Sequence, residues 1–137
     1  MGKIGIVADD LTGATTVGVL LAKSGISTAA FFDERSLEER TNYQAMVLSS
    51  DSRHLKKEEA QNRVKLAVRA LKNHGAVYFS KRIDTTMRGG IGFEVDAMLE
   101  ELDSDTIAIM VPTMPQSNRI LVGGYSLIDG VALSRTP

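Results

Sequence analysis

The chain contains no cysteine, and that absence removes disulfides, thiol nucleophiles and cysteine-ligated zinc together. Histidine is scarce as well: His54 and His74 are the two in 137 residues, too few for a histidine-rich metal site. Charge of one sign is missing, since 16 Lys plus Arg stand against 17 Asp plus Glu for a net charge of -1. A general nucleic-acid binder would show a basic excess. No apolar run reaches the roughly 18 residues of a membrane span. Asp9 and Asp10 interrupt the N-terminal apolar stretch, which excludes a signal peptide. These absences lead to the expectation of a cytoplasmic globular domain with neither nucleic acid nor membrane as partner. Its 43% hydrophobic content suits a globular rather than a disordered chain.

What is present alternates in type. Lys3 to Ala8 is a short apolar run that reads as a buried strand. A helix is expected from Thr12 or Gly13 to about Ser24, stopped by Gly25. Strands are expected at Ile26 to Phe32 and Gln44 to Ser49, separated by a polar loop over Asp33 to Tyr43. Ala60, Val64, Ala67, Val68 and Leu71 share one helical face within Lys57 to Asn73, and Gly75 ends that helix. A fourth strand follows at Ala76 to Ser80. Ile91, Val95, Met98, Leu99 and Leu102 mark a third helix from about Gly90 to Leu102. Thr106 to Val111 reads as a fifth strand, with Met98 and Met110 as core residues. Asp129-Gly130 between Tyr125–Ile128 and Val131–Leu133 signals a hairpin. Helices between strands imply parallel crossovers. The fold class is therefore α/β, an open, mainly parallel sheet with flanking helices (Rossmann-like) plus a C-terminal β-hairpin.

In such sheets ligands bind outside the carboxyl ends of the strands. The polar clusters all follow strands: Asp9–Gly13, Ser50–His54, Lys81–Gly90 and Pro112–Arg119. Asp9, Asp10, Asp51 and Asp84 supply carboxylates; Arg53, Lys81, Arg82, Arg88 and Arg119 supply cations. Arginine binds carboxylate or phosphate through a planar fork, and a carboxylate can accept from a hydroxyl or act as a base. Gly89 and Gly90, at a helix start, let an anion approach backbone N–H groups. A small hydroxylated anion suits this mixture. Plainer roles compete: Asp9 or Asp10, and Thr85 or Thr86, could be helix caps, Arg53-His54 a solvated loop, and His74 a surface residue at a helix C-terminus. A haloacid-dehalogenase pattern fails because Leu11 or Thr12 stands where a second Asp is needed. A receiver pattern finds Asp9, Asp10, Asp51 and Ser80 but no Lys after the fifth strand. No Walker or dinucleotide fingerprint is present.

Taken together, IVADDLTGA (Ile6–Ala14), DSRHL (Asp51–Leu55) with EEA (Glu58–Ala60), KRIDTTMRGGIGFEVDAML (Lys81–Leu99) and VPTMPQSNRILVGGYSLIDGVALSRTP (Val111–Pro137) resemble the N-terminal sugar-binding domain of the four-carbon acid sugar kinases. The resemblance covers essentially the whole chain. It implies ATP-dependent phosphorylation of the terminal hydroxyl of an acid of the threonate, erythronate or 3-oxo-tetronate class. By that match Asp9, Asp10, Arg53, Lys81, Asp84, Arg88, Gly89 and Arg119 are substrate-binding candidates, with Asp10 and Asp84 the alternatives for orienting the attacking hydroxyl. No metal ligand is assigned. ATP and Mg2+ are implied cofactors of a full-length enzyme, held mainly by a separate C-terminal domain, with none bound within residues 1–137. The chain is thus expected to be one domain, the N-terminal part of a sugar-acid-binding unit, and inactive toward ATP alone. The partner is a small anionic sugar acid, and a homo-oligomer is compatible. A stand-alone hydroxy-acid-binding module and, behind it, a receiver-like domain are the alternatives. Thr16 stands where the family usually has Asp and Asn118 where it has Gly; Arg82 and Thr85 replace Lys and Ser.

Overall fold

The computed structural model describes residues 2–37 and 42–136. Its parallel part comprises β1 (Lys3–Ala8), α1 (Leu11–Lys23), β2 (Thr28–Phe31), β3 (Ala45–Ser49), α2 (Lys57–Asn73), β4 (Ala76–Arg82) and α3 (Ile91–Leu99). A smaller antiparallel part follows, with β5 (Arg119–Val122), β6 (Tyr125–Ile128) and β7 (Val131–Ala132). The α/β expectation holds, with the hairpin forming two strands of a separate three-stranded sheet.

The main sheet is fully parallel in the order β2-β3-β1-β4. The classic doubly wound order places the second strand beside the first; here β3 takes that place. This order also removes the receiver alternative, whose sheet runs 2-1-3-4-5. Ala8 is level with Ser49 on one side and Arg82 on the other, so three strands release their loops at the same height.

Side chains alternate across a strand, and both faces of this sheet are covered. Ile6, Ala8 and Val47 pack with Ala14, Val17 and Leu21 of α1. Val7, Met46 and Leu48 pack on the other face with Val64, Val68 and Leu71 of α2 and with Ala97 and Met98 of α3. Each fully buried Val or Leu contributes on the order of 1.5–3 kcal/mol. Gly5 lets this layer close: a Cβ there would stand 2.9 Å from Ala76 Cβ and 3.2 Å from Leu71 Cβ. The chain therefore leaves β1 toward one face and β3 toward the other. Adjacent strands whose loops diverge create a crevice at their carboxyl ends.

Several local readings hold. Gly75 ends α2 at φ +90°, and His74 sits at the C-cap with Nδ1 2.8 Å from the Ala70 carbonyl oxygen. Asp129 and Gly130 both have positive φ, as a two-residue hairpin turn requires. Asp33 caps a short 3-10 turn within the expected polar loop; positions 38–41 of that loop lie outside the described residues, as does Pro137.

Three expectations are corrected. Thr106–Val111 is apolar like a buried strand but joins no ladder among the described residues. A groove of about 860 Å3 separates it from β4, and Ile107 and Ile109 are 79% and 82% exposed. Met110 is half-exposed in the same segment rather than core, whereas Met98 is buried. Finally α3 stops at Leu99, and Ile91, Val95 and Leu99 line that groove while Glu94, Ala97 and Met98 take the buried face. β5 was not anticipated; its first residue closes a polar loop and only four residues pair. No helix among the described residues is long and apolar enough to cross a membrane.

Candidate functional site

Asp9 and Asp10 emerge from β1 into the crevice. Asp10 is the N-cap of α1: its Oδ1 accepts the Gly13 N–H at 2.6 Å. Its Oδ2 accepts from Arg53 Nη1. Asp9, only 3% exposed, takes the remaining edge of the same guanidinium, with Nε donating to Oδ2 at 2.8 Å and Nη2 to Oδ1 at 2.9 Å. One arginine from the β3 loop thus clamps both carboxylates of the β1 loop. The backbone reinforces the clamp. Ser52 and Arg53 N–H groups donate to the Asp9 carbonyl at 3.0 and 3.2 Å. The buried Ser50 hydroxyl donates to the Ala8 carbonyl at 2.9 Å and lies 2.8 Å from the Ser52 hydroxyl. The Asp9 hydrogen bonds raise the Arg53 pKa against the opposing effect of burial; the charges of Asp9, Asp10 and Asp84 add to the rise.

The loop after β4 builds a second carboxylate–arginine unit. Asp84 Oδ2 accepts from the Thr86 N–H at 3.1 Å, the Thr86 hydroxyl, the Arg88 N–H at 3.3 Å and Arg88 Nε at 2.9 Å. Its Oδ1 accepts from Arg88 Nη2 at 2.9 Å. The Arg88 fork holds the Asp84 carboxyl far below the usual carboxylate range; burial opposes this, and Thr86 and the Arg88 N–H assist. The turn is tight, with Met87 and Gly89 at φ +63° and +88°. It brings Gly89 against Arg53, where a Cβ would lie 3.3 Å from Arg53 Cγ.

Arg119 opens β5 and donates from Nη1 to Thr85 Oγ1 at 2.8 Å, tying the small sheet to this turn. Asn118 just before it has φ +53° and ψ +28°, a left-handed conformation that glycine and asparagine accept. Its side chain donates to Asp129 Oδ1 at 3.0 Å. The departure from the resembled family's glycine therefore preserves the backbone path. Thr16 donates to the Thr12 carbonyl at 2.7 Å within α1.

Asp9, Asp10, Arg53, Asp84, Arg88, Gly89 and Arg119 are thus brought into one connected set. Lys81 is placed apart. Its register neighbour is Val7, whose side chain faces α2 and α3. The Lys81 ammonium is accordingly buried 2.7 Å from Glu94 Oε2, an ion pair poorly aligned for hydrogen bonding and without any other partner for either atom among the described residues. Glu94 was missed in the sequence because it lies within an amphipathic helix; its position three residues before Ala97 is the signal. Asp51 and His54 are exposed. Among the described residues no three Asp, Glu or His side chains gather to hold a metal ion.

Chemically, Asp10 is the more accessible of the two β1 carboxylates, with 25% of its side chain exposed against 4% for Asp9. It can accept from a ligand hydroxyl. Arg88 and Arg119 each retain guanidinium N–H groups not used by the bonds above, and these suit an anionic end.

A model of the sugar-binding N-terminal domain family matches residues 4–137. A D-erythronate kinase of Heliobacterium modesticaldum is 44% identical over 99% of this chain and 31% of its own length. A 3-oxo-tetronate kinase of Haemophilus influenzae is 31% identical over 97% of the chain and 33% of its length. A D-threonate kinase of Salmonella typhimurium is 30% identical over 98% and 31%. The chain spans about one third of these relatives. Among solved structures, a Haemophilus influenzae protein superposes with a TM-score of 0.90 at 29% identity, over 96% of this chain and 33% of that one. A Bordetella bronchiseptica domain of unknown function, a domain-swapped dimer with bound citrate, gives 0.89 at 27% identity, over 97% and 34%.

Proposed function

The chain belongs to the family of sugar-binding N-terminal domains, and on that premise we propose that it is the substrate-binding portion of an ATP-dependent kinase for the terminal hydroxyl of a four-carbon sugar acid. The observation that carries this reading is the joined pair of carboxylate–arginine units at the switch point, Asp9–Asp10–Arg53 and Asp84–Arg88. Such a site offers acceptors for hydroxyls and forks for a carboxylate within one crevice. The relatives named for D-erythronate, 3-oxo-tetronate and D-threonate support the substrate class. The citrate in the Bordetella neighbour supports a hydroxylated polyanion.

Roles follow from the bonding. Asp10 orients the attacking hydroxyl, because Asp84 already takes five donor contacts, four of them on Oδ2, and its lowered pKa makes it a poor base. Asp84 instead fixes Arg88. Arg88 and Arg119 receive the ligand carboxylate, Gly89 packs against Arg53, and Asp9 holds Arg53 in place. Lys81 positions α3 through Glu94 rather than touching the ligand. ATP and Mg2+ are assigned mainly to a separate domain, a division supported by the arginine pairing of the site carboxylates, while this domain supplies substrate recognition.

Isothermal titration with D-erythronate, D-threonate and acetate tests the reading. Saturable binding of a four-carbon acid, lost in Asp10→Asn and unmatched by acetate, is expected. No heat with any hydroxy acid overturns it, and ATP turnover by the 137-residue chain overturns the division of labour. A homo-oligomer is supported by the domain-swapped Bordetella dimer; sedimentation equilibrium should then give a mass above 14.8 kDa, and a monomer at every concentration overturns it.

A further inference from the structure

A second cleft, of about 780 Å3, opens between the small sheet and the Asp84–Arg88 turn. Three arginines line it: Arg88, Arg119 and Arg135. Arg135 comes from the short 3-10 turn Leu133–Arg135 that follows β7. The cleft has one lining carboxylate, Asp129, and its Oδ1 already accepts from Asn118 at 3.0 Å. The lining is therefore cationic in excess, in a chain whose charges otherwise balance.

The three guanidinium groups differ in how far they are committed. Arg88 gives Nε and Nη2 to Asp84. Arg119 gives Nη1 to Thr85. Arg135 has neither an ion pair nor a side-chain hydrogen bond among the described residues, so its whole donor fork remains for a ligand. Phosphoryl groups present three oxygens and about two negative charges, and converging arginine forks are the side chains that match them. Arg88 belongs to both places, because it is anchored by Asp84 at the crevice and lines the cleft. A ligand with a carboxylate and hydroxyls in the crevice could reach across Arg88 with its far end.

We propose that this cleft is a phosphoryl-binding subsite and that Arg135 is its discriminating residue, favouring a phosphorylated ligand over its unphosphorylated form. The inference rests on the sugar-acid reading above for the rest of the ligand. The phosphoryl group has two sources with the same chemistry, a phosphorylated sugar acid or the terminal phosphate of a nucleoside triphosphate.

Titration of the 137-residue chain with D-erythronate, D-erythronate 4-phosphate, ATP and inorganic phosphate tests it. The sugar phosphate should bind about tenfold more tightly than erythronate, consistent with charge-assisted hydrogen bonds. Arg135→Gln should abolish that gain and cost erythronate less than it costs the phosphate ester, since the carboxylate keeps the Arg88 and Arg119 forks. Arg135→Lys should keep part of it, since lysine offers charge without the fork. A gain seen for ATP instead assigns the nucleotide as the source and supports the subsite. Erythronate binding with no phosphate-dependent gain, or an Arg135→Gln loss equal for both forms, overturns the subsite and leaves the sugar-acid reading standing. Arg135-dependent binding of inorganic phosphate without any binding of erythronate supports the subsite and overturns that reading.

Discussion

Gly89 rests directly on Arg53: a Cβ at Gly89 would stand 3.3 Å from Arg53 Cγ and 3.4 Å from the Arg53 carbonyl oxygen. The loop after β4 therefore braces the arginine that clamps Asp9 and Asp10. Gly89 also has φ +88°, where side chains other than glycine are strained by about 1–2 kcal/mol. Gly89→Ala should lower unfolding free energy by about that amount and weaken sugar-acid binding by about tenfold through displacement of Arg53. Urea denaturation and calorimetric titration on one preparation measure both, and unchanged affinity would show that the contact is incidental.

The Lys81–Glu94 pair is buried, with 7% and 2% of the side chains exposed. Removing one charge strands the other in a nonpolar layer, so Glu94→Gln should cost about 3–5 kcal/mol. Replacing both, Lys81→Met with Glu94→Leu, should recover most of that loss, because apolar residues of similar volume often substitute for a buried pair at little cost. A double-mutant cycle by chemical denaturation reads the coupling. Additive losses would mean the two groups do not interact.

Acid should destabilise the fold through identifiable carboxylates. The Asp84 carboxyl lies below its ordinary 3.8 because of the Arg88 fork, and Glu101 below its ordinary 4.5 because of Arg69. Folding therefore favours their ionised forms. The stabilisation is complete above those ordinary values and fades as pH falls through the lower values of the folded state. Melting temperature should drop from about pH 4.5 downward, and Asp84→Asn should flatten the steepest part of that fall. A parallel pH profile in wild type and variant would rule out Asp84 as a main contributor.

At Asn118, conformation rather than side-chain identity should dominate. Asn118→Gly keeps the left-handed turn and should change stability by no more than about 0.5 kcal/mol. Asn118→Val forces a β-branched residue to φ +53° and should cost about 1–3 kcal/mol. Thermal unfolding of the two variants decides the point; similar losses would assign the role to the Asp129 hydrogen bond.

The parallel layer was legible because burial on both sides leaves runs such as Ile6–Ala8 and Met46–Leu48 apolar, and the crossover helix α2 carries its face at regular spacing. Thr106–Val111 is an apolar run of the same kind, yet a strand needs a ladder partner, which no local pattern reveals. The convergence of the loops was legible, since loops after parallel strands share one rim. Its wiring was not. That Arg53 would close on Asp9 and Asp10, that Arg88 would fork onto Asp84, and that Lys81 would turn inward to Glu94 depend on how each residue is placed at or beyond the end of its strand. Lys81 and Arg82 are neighbours in sequence, but Lys81 is level with Val7 and Arg82 with Ala8, which face opposite layers.

The strand order has a kinetic consequence. β3 must enter between β1 and β2 before Ile4 can meet Ala45, so the chain spends loop-closure entropy before the central pairing stabilises it. The Arg53 clamp spans that same separation in sequence and can form only once the strand has seated. A ligand held there acts on the finished fold: it should lengthen the lifetime of the native state while leaving the rate of reaching it unchanged.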